Sequence, residues 1–185
     1  MEVYIGSTWM EVAVSSPNLD GGARGLIMGG YSPGSGDGES RVNVIESVVI
    51  STFGNSVDFG DLSVRRSDSG SAGSRTRAVM ASGFGSGFSP GYGNTIDFVT
   101  IASQGDAQDF GDLTQKRRNI TANSNSIRAT FAGGTTTSSG TGNNKNIIDF
   151  VTISTTGNAV DFGDLQHQKR LSNMGSSDSH GGIGD

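Results

Sequence analysis

Cysteine is missing from this sequence altogether, which excludes disulfides and thiolate metal sites. Histidine is almost missing: His167 and His180 stand in polar segments with no spaced partner, so no zinc ligand set can be assembled from them. Long apolar runs are absent too. None approaches the roughly 18 residues that a membrane-crossing helix needs. The start carries Glu2 and Glu11 and no apolar h-region, so export by a signal peptide is not expected. Excess positive charge is lacking, with a formal charge of −5 and a pI near 4.9, which argues against a nucleic-acid binder. Hydrophobic residues amount to 32%, below the roughly 45% of ordinary globular chains. No stretch sustains a 3.6-residue apolar period, so helix is expected to be nearly absent.

What is present is glycine, 30 residues of it, in a background of Ser, Thr and Asn. Disordered chains share that composition but lack periodic β-branched runs, and this sequence has three. Many short strands joined by small-residue turns is the reading, with narrow cores between stacked sheets. The runs are copies of one cassette. Asn43–Leu62 reads NVIESVVISTFGNSVDFGDL, Asn94–Leu113 reads NTIDFVTIASQGDAQDFGDL, and Asn146–Leu165 reads NIIDFVTISTTGNAVDFGDL. Phe59, Phe110 and Phe162 occupy equivalent places, so the period is 51 and then 52 residues. Arg24–Gly30 returns more loosely as Arg77–Gly83 and Arg128–Gly134.

Each cassette reads as a hairpin: strands Val44–Thr52 and Ser56–Leu62, Thr95–Ala102 and Ala107–Leu113, Ile147–Ser154 and Ala159–Leu165. Gly54, Gly105 and Gly157 mark turns that need φ > 0. Gly60, Gly111 and Gly163 mark bulges that aim the preceding Phe inward. Short apolar runs precede each cassette, at Leu26–Met28, Arg77–Ala81 and Ile127–Ala132. The polar segment Ser63–Arg75 reads as an outer strand or a loop. Residues 1–14 form a β-hairpin leader, with Met10, Val12 and Val14 on one face. Residues 15–185 form the repeat domain, in units of about 24–75, 76–126 and 127–178, with a closing strand at 179–185.

The unit resembles a kelch repeat. Gly29-Gly30 and Gly133-Gly134 match that family's diglycine, and Ser82-Gly83 keeps one of the pair. Phe98 and Phe150 stand near its tyrosine, where Ser47 departs. Phe59, Phe110 and Phe162, each three residues before a Leu, replace its tryptophan, and Arg66, Arg117 and Lys169 stand at its basic position. The resemblance implies an all-β fold, a β-propeller of about 50-residue blades. Known propellers typically have four or more blades. Three full repeats would therefore need a fourth blade built from both termini, or a ring shared between chains. A β-trefoil or a β-prism also accommodates three repeats of this length.

The cassette is similar to repeats in tail and virion proteins of tailed phages, cyanophages especially, and the leader VYIGSTWMEV is similar to a segment of phage structural proteins. That resemblance implies a virion component: a tail-fibre or tail-associated structural protein, a capsid decoration protein, or a carbohydrate-binding host-recognition module. The implied partners are other virion proteins, cell-surface glycan and further copies of the chain, with no nucleic acid and no membrane.

Chemistry-bearing motifs point the same way. Asp-Phe-Gly occurs once per repeat and lacks the other kinase elements, so it reads as structure. The pairs Asp58/Asp61, Asp109/Asp112 and Asp161/Asp164 supply too few oxygens for calcium and read as turn caps. No catalytic constellation, metal site or cofactor site is expected, and no enzyme activity. The basic clusters Arg65-Arg66, Lys116–Arg118 and Lys169-Arg170 read either as a ring of positive charge or as partners of nearby aspartates. Binding is expected in the variable loops after each first strand, through Tyr31, Phe84, Phe88 and Tyr92, with Trp9 of the leader beside them.

Overall fold

Runs of β-branched residues alternating with small ones pair here into short antiparallel ladders, and the described residues contain no helix. The computed structural model describes residues 2–5, 8–11, 24–33, 40–137, 142–171 and 175–176. A leader hairpin joins β1 (Glu2–Ile5) to β2 (Thr8–Glu11). The first sheet is β3 (Arg24–Tyr31), β4 (Arg41–Val49) and β5 (Val57–Asp61). The second is β6 (Gly70–Gly73), β7 (Arg77–Ala81), β8 (Thr95–Thr100) and β9 (Gln108–Asp112). The third is β10 (Thr121–Ser124), β11 (Arg128–Ala132), β12 (Ile147–Thr152) and β13 (Val160–Asp164). Each sheet is a meander in chain order.

The three sheets are stacked, and the second is covered on both faces. Along β7 the pleat sends Ala78 and Met80 toward Ile45, Phe59 and Leu62 of the first unit, while Val79 and Ala81 join Phe131, Val151 and Ile153 of the third. Burial on both faces is why β7 reads as a continuous apolar run and why β8 is buried from Ile96 to Val99. Two thin cores result, one in each gap between sheets.

The bulge expected at Asp-Phe-Gly is present in all three copies. The β4–β5 register passes from Ile45↔Gly60 to Glu46↔Asp58, leaving Phe59 as the extra residue. Phe110 and Phe162 are skipped in the same way. Gly60, Gly111 and Gly163 sit at φ of 150°, 142° and 140°, which disfavours any side chain there.

Two expectations are modified. The segment Ser63–Arg75 contributes β6, which pairs with β7 as the first strand of the second sheet; β10 does the same for the third. Of the hairpin-turn glycines, Gly105 and Gly157 have positive φ and Gly54 does not. The two that do send their N–H groups back to Phe59 O and Phe110 O of the preceding unit. Gly54 has no preceding cassette to reach. The closing strand expected at 179–185, and Val12 and Val14 of the leader, lie outside the described residues.

Candidate functional site

The chemistry of this molecule concentrates in the gaps between sheets. The segment after β5 carries Arg66 four residues beyond Leu62, and that side chain is wholly buried. Its Nη2 meets Oδ2 of Asp97 on β8 at 2.8 Å, and its donors also reach the carbonyls of Thr95 and Met80. Ser63 adds its N–H and hydroxyl to the same carboxylate, at 2.9 and 2.7 Å. The next gap repeats the arrangement. Arg117 meets Asp149 at 2.8 Å and donates to the carbonyls of Ile147 and Phe131, and Thr114 takes the place of Ser63. Burial lowers the pKa of both guanidinium groups from the ordinary value, and the adjacent carboxylates partly offset it. An ion pair this deep is tolerable because each remaining polar group of the carboxylate has a donor aimed at it.

Further bonds close each gap. Arg24 donates to Ile101 O, and Arg77 to Ile153 O and Ser154 O. Ala107 N–H bonds Asp61 O, and Ala159 N–H bonds Asp112 O. Asp61 and Asp112 in turn donate their N–H groups to the side chains of Asp106 and Asn158. Of the two readings of the basic clusters, pairing with aspartates holds at Arg66 and Arg117 and a ring of surface charge does not. Both are interior, each neutralised by an aspartate of the following unit, because a guanidinium can satisfy several carbonyls and a carboxylate at once. Arg118 pairs with Asp68, while Lys169 and Arg170 are exposed.

The loop edge carries four of the five aromatic candidates. Tyr31, Phe84 and Thr135 follow Gly29-Gly30, Ser82-Gly83 and Gly133-Gly134 and occupy one position of the repeat. Tyr31 is paired in register with Arg41, and Phe84 with Tyr92. Arg41 approaches the Tyr31 ring at 5.9 Å and the Phe84 ring at 4.3 Å, and Arg118 lies at 4.3 Å from Phe84. Two guanidinium groups at that distance leave little of the Phe84 ring open to another ligand. Phe88 lies against the backbone of Gly93, and Gly91 abuts Phe84, so the loop from Phe84 to Tyr92 is packed on itself. Lys116 fastens it by a 2.9 Å bond to Ser89 O. Tyr31, 62% exposed, is the candidate left facing outward. Trp9 lies on β2 opposite Tyr4; its side chain is outside the described part of the structure.

Each cassette hairpin also borders a shallow recess. The second and third have volumes near 410 and 400 Å³, floored by Phe98 or Phe150 and rimmed by Thr100, Gln104 and Asp106 or by Thr152, Thr155 and Asn158. The first, near 220 Å³, is lined by Arg24, Ser47, Thr52 and Phe53. Sequence reasoning found the aromatic loop residues and the basic cluster with Arg118, but missed Asp97, Asp149 and Arg41. The first two had a visible signal: Asp97 and Asp149 occupy one position of the cassette, as Arg66 and Arg117 occupy one position of the segment before it. Arg41 had none, since its partner rings come from separate loops. No protein-family model matches the sequence, and no curated protein does.

Proposed function

We propose that this chain is a non-enzymatic structural protein of a phage particle, acting in assembly or surface adhesion as a tail-fibre or tail-associated component. One observation carries the structural part of that reading. The deeply buried ionisable groups, Arg66, Asp97, Arg117 and Asp149, all serve to hold one repeat to the next. The virion part rests on the likeness of the cassette and the leader to phage structural proteins. Kelch-like blades are the finer fold proposed, supported by the four-stranded meanders and the glycine-pair turns.

Purified particles test this. Recovery of the chain in stoichiometric amount, in either tail or capsid fractions, is the expected result, and the fraction separates a tail component from a capsid decoration protein. Absence from every particle overturns the reading. A glycan-binding role is the second reading, favoured by exposed Tyr31 beside Arg41 and by the recurring polar recesses. Binding on a glycan array that is lost in Tyr31→Ala would establish it.

A further inference from the structure

The molecule contains two closed joints and the two halves of a third. The outgoing half of a joint is a Phe in the bulge, the Gly after it, and a basic residue four positions beyond the Leu. In the first and second units these are Phe59, Gly60 and Arg66, and Phe110, Gly111 and Arg117, all covered by the following unit. In the third they are Phe162, Gly163 and Lys169. Phe162 is 55% exposed, the space beside Gly163 is open, and Lys169 is exposed. The incoming half of a joint is an acidic residue, an Ile before the turn, and the turn itself. In the second and third units these are Asp97, Ile101 and Gly105, and Asp149, Ile153 and Gly157. In the first they are Glu46, Ile50 and Gly54, with Glu46 exposed and Ile50 72% exposed.

We propose that the outgoing face around Phe162 and Lys169 docks on the incoming face around Glu46 and Ile50 of a second copy of this chain, head to tail. The argument is complementarity. Both vacant halves keep the sign of charge found at the closed joints: Lys169 stands where Arg66 and Arg117 stand, and Glu46 where Asp97 and Asp149 stand. Terminal units that only meet solvent are expected to have polar outer faces. These have Phe162 at one end and Ile50 and Phe53 at the other. In the closed joints the same positions deliver Ile153 to the core at 1% exposure. The chain after β13 also continues the pattern of the repeat. Leu171 N–H bonds Asn119 O as Asn119 N–H bonds Asp68 O, and Gly175 lies against Ala122 of β10. The first sheet, among the described residues, lacks the first strand that β6 and β10 supply to the others. Among the described residues, the third unit thus stops where the repeat calls for another, and no sheet of the repeat covers the incoming face of the first. The contact is heterologous, so it propagates into a ring or a filament according to the rotation per copy.

This inference extends the structural reading above, and its test is separate from particle recovery. Sedimentation velocity of the full chain over a hundredfold range of concentration is expected to show association. Lys169→Glu and Glu46→Lys are each expected to weaken it at least about tenfold. A mixture of the two variants is expected to regain it, because each variant's altered face then meets an opposite charge. Phe162→Glu, on the same face and independent of the ion pair, is expected to abolish association. Lys169 and Glu46 are exposed, so thermal unfolding checks that the single variants still fold. A wild-type chain that stays monomeric throughout overturns the proposal while leaving particle recovery to decide the structural role. So does association that survives all three substitutions, which would place the contact elsewhere, the chain's own termini included. Loss in both single variants without recovery in the mixture overturns it as well.

Discussion

Phe110 and Phe162 occupy the same position of the same bulged strand, in QDFGD and VDFGD, yet the first is 2% exposed and the second 55%. Their own sheets treat them alike: Phe110 meets Phe98 edge to face at 5.8 Å, and Phe162 meets Phe150 at 5.8 Å. The difference is the next unit. Phe110 is roofed by the turn at Gly157, and Phe162 has no such roof. Stability in a repeat protein is a sum of unit terms and neighbour terms. Here the two can be separated position by position, because the outgoing face of the third unit keeps the first kind and, among the described residues, lacks the second.

The ion pairs give the sharpest break. Arg117→Ala leaves Asp149 buried without its charge partner and is expected to cost about 3–5 kcal/mol in chemical denaturation. Lys169→Ala, the same position in the third unit, is expected to stay within about 0.5 kcal/mol in dilute protein. Replacing Arg117 and Asp149 together by apolar residues of similar volume is expected to recover most of the loss, since no unpaired charge then remains. Equal costs at 117 and 169 would show that the joint does not depend on that pair.

The Phe positions extend the comparison. Phe110→Ala opens a cavity between two sheets, at an expected cost of about 3–5 kcal/mol. Phe162→Ala removes a ring that is already half in water and is expected to cost less than about 1.5 kcal/mol. Thermal melts of the two variants at low concentration test this. Under the head-to-tail proposal the gap between them narrows as concentration rises.

The sequence made the cassette, the hairpins and the bulges visible because β-branched alternation and Asp-Phe-Gly are local signals. It left β6 open, as an outer strand or a loop, and concealed β10. Gly-Ser-Ala-Gly and Thr-Ala-Asn-Ser have no strand pattern of their own; they are strands because β7 and β11 pair with them and because small residues let the sheets approach. A Cβ on Gly70 would stand 3.0 Å from Ile120 of the neighbouring unit. The joints were concealed for another reason. Buried arginine runs against the usual exposure of that residue, so pairing with aspartates was legible for Arg66 and Arg117, but their full burial against Asp97 and Asp149 of the following unit was not. The Tyr31, Arg41, Phe84 and Arg118 cluster is set by tertiary geometry alone, and nothing local in the chain announces it.

Glycine substitutions separate strain from contact. Gly111 and Gly163 share nearly the same φ, so alanine at either is strained by about 1–3 kcal/mol. At Gly111 the new methyl also runs into the carbonyl of Gly157, whereas at Gly163 it meets open space. Gly111→Ala is therefore expected to lower the melting temperature further than Gly163→Ala. Equal shifts would mean that backbone conformation alone selects glycine at this position.

The smallest effect is expected where the three units share one left-handed turn, at Gly29, Ser82 and Gly133. A Cβ on Gly29 would approach Arg66 O at 2.8 Å, and one on Gly133 would approach Lys169 O at 2.7 Å. Ser82, at φ 66°, has the same left-handed backbone, but its hydroxyl donates to Arg117 O, turning the close approach into a hydrogen bond. Ser82→Gly loses that bond, worth about 0.5–1.5 kcal/mol, and relieves a left-handed non-glycine residue by about 1 kcal/mol. The two nearly cancel, so the melting temperature is expected to shift by no more than a few degrees. Because Lys169 O fills the same role in the third unit without any neighbour, Gly133→Ser is expected to be tolerated there on the same terms. A large loss at Gly133 alone would mean that this turn, too, depends on a following unit, and would move the boundary between internal and neighbour stability into the unit itself.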